Sequence, residues 1–149
     1  MPQVEQSIEV DVPLRIAYAQ WTQFETFPHF LGCVEKITRL DNSLTRWKTK
    51  VAGVEREFEA EIIEQIPDES VAWKTVDGEA KQTGVVTFHR LADNKTKVVL
   101  ALHYERKGFA QNFGDRLGFI KRQVADDLKT FKQYIEARDA EAVSRSDRA

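Results

Sequence analysis

Cysteine is nearly absent from this chain, which has one, Cys33, in 149 residues. A single cysteine excludes an internal disulfide and is too few for a cysteine-based zinc site. With only Lys36 as a basic neighbour, Cys33 reads as a small buried hydrophobe and not as a reactive thiol. Histidine is scarce too. His29, His89 and His103 show no His-x-x-x-His spacing with a third ligand, so no metal and no cofactor are expected. No apolar run approaches the roughly 18 residues that a bilayer span needs. The start, Met1-Pro2-Gln3-Val4-Glu5-Gln6, lacks the basic and apolar regions of a signal peptide. A cytoplasmic protein without a transmembrane segment is therefore expected. Charge of one sign is also lacking: the net value is −2. Such a chain has no basic field to hold a polyanion, which excludes nucleic acid as a partner.

What is present is a domain-sized chain with 42% hydrophobic and 31% charged residues, enough to bury a core without staples. Ser7 to Val12 alternates apolar and polar with strand period. Pro13 closes that strand and suits the first turn of a helix, where Leu14, Ala17, Tyr18 and Trp21 recur at helical spacing. Thr22-Gln23-Phe24-Glu25 has the form of a capping box and predicts a second short helix, interrupted at Pro28. From Cys33 onward the period is two. Strands are expected near 34–40, 44–52, 55–66, 70–76, 83–92 and 95–106, with turns at Asp41-Asn42-Ser43, Gly53, Pro67-Asp68-Glu69, Asp77-Gly78 and Asp93-Asn94. Short connections favour sequential antiparallel pairing.

Charge assigns the faces. Arg46, Lys48 and Lys50 share one side of one strand, and Glu55, Glu57, Glu59 and Glu61 share one side of the next. A hairpin at Gly53 sets the rows opposite each other, and each pair contributes roughly 0.2–1 kcal/mol that a one-residue slip would lose. That face is the solvated one. The other, with Trp47, Thr49, Val51, Phe58, Ala60 and Ile62, points inward. By the same parity His89 and His103 point outward.

The last segment changes to helical period. Phe113, Leu117, Ile120, Val124, Leu128, Phe131 and Ile135 make one apolar stripe on a helix over 112–138, about 40 Å long. Gly108, Gly114 and Gly118 bracket its start, either for close backbone packing or for a mobile first turn. One domain, 1–139, is expected, with 140–149 as a disordered, fraying tail.

Strand, two short helices, six strands and a long terminal helix is the helix-grip order. On that order, and on Val12-Pro13, Trp21 through Phe30, Ile66-Pro67-Asp68-Glu69 before Val71-Ala72-Trp73, and Gly84-Val85-Val86-Thr87-Phe88, the chain resembles the START-like (SRPBCC) superfamily. Within it the chain resembles the bacterial polyketide cyclase/dehydrase-like group. The resemblance covers about residues 3–138. It implies an α+β helix-grip fold, in which a seven-stranded curved antiparallel sheet grips the C-terminal helix. It also implies an apolar or aromatic molecule held between helix and sheet.

The inward set is rich in rings. Trp47, Phe58, Trp73, Phe88 and Tyr104 come from strands, and Phe109, Phe113 and Leu117 come from the helix side. Thr49 and Thr75 add hydroxyls. An apolar lining with a few polar groups is the usual form of a small-molecule site. Phe27, His29 and Phe30 are expected at its entrance. A dry void of about 300 Å³ would cost roughly 7 kcal/mol, so a smaller, partly filled pocket is expected. Glu64 is the one inward carboxylate by parity, a general-base candidate if buried. No Ser–His–Asp arrangement and no inward ionisable pair is evident. The first functional reading is therefore a binder or carrier of a small hydrophobic molecule, aromatic, polyketide or isoprenoid-like, working as a monomer or weak dimer. The second is a cyclase/dehydrase-type enzyme. The third is an interaction module docking through an apolar mouth around Phe27, Phe30 and Phe109.

Overall fold

The computed structural model describes residues 3–32, 34–51, 53–78, 82–104 and 113–147, with side chains except at 51, 54, 104, 113–119 and 140–147. In chain order the elements are β1 (Gln3–Val10), α1 (Leu14–Trp21), a 3-10 helix (Phe24–His29), β2 (Val34–Arg39), β3 (Leu44–Val51), β4 (Val54–Ile66), β5 (Ser70–Gly78), β6 (Gln82–Ala92), β7 (Lys95–Tyr104) and α2 (Phe113–Asp147). The seven strands form one antiparallel sheet in the order β1-β7-β6-β5-β4-β3-β2. This is the expected α+β helix-grip architecture.

The charge rows set the β3–β4 register. Arg46 lies opposite Glu59, Lys48 opposite Glu57 and Lys50 opposite Glu55. The turn between them places Gly53 at φ +83°, a left-handed conformation that glycine adopts without steric cost. Trp47 and Phe58 are paired on the other face and are buried. Register shifts interrupt the β4–β5 ladder at Glu59/Ala60 and at Ile62/Glu64, and such bulges bend and twist a strand. The second shift overturns the parity expected for Glu64. Past it, Ile63, Glu64, Gln65 and Ile66 are all exposed, and Glu64 accepts a hydrogen bond from the Ser70 hydroxyl at 2.8 Å. Glu64 is therefore not an inward base.

Two local expectations also change. Thr22-Gln23-Phe24-Glu25 does not act as a capping box. The Thr22 hydroxyl donates back to Ala19 O at 2.7 Å, and Glu25 pairs with Arg39 at 3.7 Å. The segment that follows is a 3-10 helix containing Pro28, with no side-chain cap. The sequence pattern ends the last helix near Arg138, whereas α2 stays helical to Asp147. The apolar stripe stops there, but Ala140, Glu141 and Ala142 are good helix formers, and neither Gly nor Pro stops them.

α2 is fastened through its middle and later turns. Ile120, Val124, Leu128, Phe131 and Ile135 are buried. Full burial of each such side chain stabilises by roughly 1.5–3 kcal/mol. Lys132 Nζ donates to Glu9 O at 3.1 Å and pairs with Glu136, whose carboxylate also accepts the Asp11 N–H at 2.7 Å. Burial works against the Glu136 charge. The Lys132 hydrogen bond, the Asp11 N–H and the Lys132 charge together outweigh it and hold this carboxyl below its ordinary value.

The densest packing depends on a missing side chain. Trp73 pairs across β5–β6 with Gly84, and its indole lies flat against the glycine backbone. A Cβ at 84 would stand 2.2 Å from Trp73 Cε2 and Cζ2. Gly84→Ala should therefore lower stability by about 1–3 kcal/mol, the usual cost of overpacking. Chemical denaturation checks this, and an unchanged midpoint would mean that Trp73 does not rest on Gly84.

Candidate functional site

Among the described residues, ring packing closes one half of the inner face of the sheet. In the closed half, Trp21 meets Phe27, Phe30 and Phe131 at ring-centre distances of 5.1, 5.2 and 5.2 Å. Phe24 and Phe27 reach Trp73 at 6.3 and 6.1 Å, and Phe27 reaches Trp47 at 5.8 Å. Trp73 stacks on Trp47 at 5.4 Å, and Trp47 stacks on Phe58 at 5.6 Å. Such pairs add roughly 0.5–1.5 kcal/mol each beyond the area they bury. The indole N–H of Trp47 donates to Thr45 Oγ1 at 2.7 Å, and that hydroxyl donates to Ala60 O at 2.9 Å, which fixes the ring. Among the described residues, the indole nitrogens of Trp21 and Trp73 are buried without a hydrogen-bond partner.

Phe27 and Phe30, expected at the entrance, are instead core residues at 0% and 2% exposure. The 3-10 helix turns both rings onto Trp21, so they form the floor of the corner and not a rim. His29 alone of that trio is exposed, and it stacks on Tyr134 at 5.8 Å. Phe88 is buried and meets Tyr18 edge-on at 5.6 Å. His89 is exposed and His103 half-buried, each on the outer side.

The other half adjoins Phe58. Thr49 lies opposite Arg56, and its hydroxyl approaches Arg56 O at 3.5 Å. Thr75 donates to Gln82 O and accepts from Gln82 N–H, both at 3.1 Å, which ties β5 to β6 where their ladder ends. Leu102 lies opposite Gly84, and Gln82 opposite Tyr104. Arg56, Thr75, Gln82 and Leu102 are half-buried, in contrast to the sealed rings beside them. Tyr104, Phe113 and Leu117 sit in described backbone, but their side chains lie outside the described residues, as does Phe109 entirely. Of the three glycines expected to serve close packing or a mobile first turn, Gly108 is also outside them, while Gly114 and Gly118 are helical.

Arg56 is the residue that the sequence reading missed. It stands two positions before inward Phe58, so the parity that chose Phe58 also chooses Arg56. Its place within an alternating run of glutamates drew attention to the solvated row instead. Arg56 also makes a further interaction. An inward cation is compatible with holding an oxygen-bearing ligand, and Arg is always charged. Among the described residues, no cluster of His, Cys, Asp or Glu is able to hold a metal ion.

A second missed group is Asp127 on α2. It is buried and accepts the Gly32 N–H at 3.0 Å and the Gln123 amide at 2.8 Å, which joins α2 to the corner before β2. Burial pushes its carboxyl up. The Gly32 and Gln123 hydrogen bonds oppose that rise, and neighbouring Asp126 adds to it. A raised folded value means that the native state holds the proton more tightly than the unfolded chain does. Stability from this site therefore falls as pH rises from the ordinary value of 3.8 through the folded one. Asp127→Asn should flatten that decline in a pH series of thermal melts. A wild-type curve that rises over the same window to the same extent in both proteins would contradict the assignment.

The geometry agrees with comparisons to known proteins. The family model described as "Polyketide cyclase / dehydrase and lipid transport" matches residues 10–133. An uncharacterized 17.2 kDa protein in the melC2-rnhH intergenic region of Streptomyces lincolnensis is 57% identical over 141 residues, covering 95% of this chain and 94% of that protein. The Zhui aromatase/cyclase of Streptomyces sp. R1128 has a similar structure, with a TM-score of 0.76 at 16% identity, covering 91% and 94% of the two chains. A START superfamily protein from Mycobacterium smegmatis matches with a TM-score of 0.72 at 16% identity, covering 94% and 98%. At these identities the two structures establish the fold alone. No helix among the described residues is long and apolar enough to cross a membrane.

Proposed function

The chain belongs to the polyketide cyclase/dehydrase and lipid-transport family, and we propose that it binds a small hydrophobic molecule between the sheet and α2. The observation that carries this reading is the contrast on the inner face. Rings from Trp21 to Phe58 are sealed, while Arg56, Thr75, Gln82 and Leu102 beside them remain half-buried. An apolar floor with a few placed polar groups is the usual chemistry of a ligand site.

Binding or carriage is favoured over turnover by the distribution of titratable groups. The catalytic role of a general acid or base needs a group within hydrogen-bond reach of the substrate. Among the described inner-face residues the ionisable one is Arg56, and arginine does not exchange its proton at neutral pH. Tyr18, whose hydroxyl pKa is raised first by burial and then by the Asp68 charge, packs edge-on against Phe88. Cyclase/dehydrase chemistry, by guiding a reactive chain into shape, is the alternative that the family supports.

Native mass spectrometry of protein purified from its own host should show a non-covalent adduct that organic extraction removes. Leu102→Trp, which adds bulk beside the half-buried polar groups, should weaken rebinding of that compound at least tenfold while the melting temperature is kept. Absence of any adduct, together with no binding of a hydrophobic fluorophore such as 1-anilinonaphthalene-8-sulfonate, would refute the reading.

A further inference from the structure

We infer that the indole N–H of Trp73 orients the ligand, donating to an acceptor oxygen, a carbonyl or a phenol, on an otherwise apolar molecule. This rests on the binding reading above and names the group that selects the ligand's polar end. The protein treats two stacked indoles differently. The Trp47 N–H is satisfied internally, donating to Thr45 Oγ1 at 2.7 Å. Trp73 stacks on Trp47 and is 2% exposed, yet its Nε1 is buried with no hydrogen-bond partner among the described residues. A buried donor without an acceptor is costly, and native proteins leave few of them.

Gly84 locates this donor. A Cβ at 84 would stand 2.7 Å from Trp73 Nε1, so the N–H edge of the indole lies over β6. An N–H lies in the plane of its ring. On an indole lying flat it therefore points along the sheet, toward the inner-face neighbours of Gly84. These are Gln82 and Val86, two residues away on β6, and Leu102 opposite on β7. The ring faces of Trp73 belong to the packed cluster, whereas this edge borders half-buried Gln82 and Leu102. A buried water needs about two to four polar partners, and the side chains of Val86 and Leu102 and the nearby rings supply none. A ligand oxygen needs only the one donor, because the rest of the molecule is suited by the apolar surface around it. The Trp21 N–H is also unpartnered, but Trp21 is 0% exposed and enclosed by Phe27, Phe30 and Phe131, which makes it an internal control.

The test uses the intact chain and two probes of one shape, 2-naphthol and 2-methylnaphthalene. Calorimetry gives affinity, and proton–nitrogen correlation spectra follow the indole protons of Trp21, Trp47 and Trp73, assigned by single Trp→Phe variants. With 2-naphthol the Trp73 indole proton should move downfield while those of Trp21 and Trp47 stay in place, and 2-methylnaphthalene should cause no downfield shift. In Trp73→Phe, which keeps a ring, the preference for 2-naphthol over 2-methylnaphthalene should fall about fivefold. Should that variant not fold, the wild-type indole spectrum decides alone. A Trp73 proton that stays in place while 2-naphthol binds would overturn the donor assignment and leave the binding reading intact. Cross-relaxation of that proton with a long-lived water in both free and bound protein would do the same. If neither probe binds, protein carrying its host adduct is compared before and after extraction. The Trp73 proton should then move upfield on extraction, and no movement overturns the assignment. Absence of a host adduct and of binding by both probes would overturn both readings.

Discussion

The contact between the Trp73 indole and the bare backbone of Gly84 determines how the inner face is built. Because residue 84 has no side chain, a large ring lies down on the sheet instead of standing off it. Trp47 then stacks on Trp73 and Phe58 on Trp47. The 3-10 helix lowers Phe24 and Phe27 onto the same rings, and α2 adds Phe131 against Trp21 and Phe30. Dense packing of this kind transmits strain and tolerates little change in volume. One end of the inner face is therefore closely packed with buried rings.

α2 is held by polar contacts of two opposite electrostatic characters. The Lys132–Glu136–Asp11 group favours the ionised carboxylate, with Glu136 held below its ordinary value against the cost of burial. Asp127 lies deeper, where desolvation dominates and ionisation is disfavoured. The two therefore contribute opposite slopes to stability as pH changes. Both sit on the part of α2 that follows Ile120, so the described contacts anchor the middle of the helix.

Much of the architecture was legible in the sequence, and for identifiable reasons. The alternating charges at 46–50 and 55–61 ruled out a one-residue slip, the turn at Gly53 set the rest, and that register is observed. The apolar stripe through Ile120, Val124, Leu128, Phe131 and Ile135 could only be a helix face, and all five are buried. Bulges were not legible. No residue pattern announced the shift at Ile62/Glu64, which is why parity failed for Glu64. The expected rim at Phe27 and Phe30 failed for a related reason. Helical spacing gave the right neighbours, but the tighter 3-10 turn rotated both rings into the core. Arg56 was legible and overlooked, because its glutamate neighbours suggested a solvated row.

In the proposed function a bound compound contacts the part of the inner face beyond Phe58 and not the sealed cluster or the charged outer face. Amide chemical-shift mapping during titration with 2-naphthol tests that claim directly. The largest changes should fall at Thr49, Arg56, Thr75, Gln82 and Leu102, with little change at Lys48, Glu57 or Lys74. Shifts concentrated on those charged positions, or around His29 and Tyr134, would contradict it.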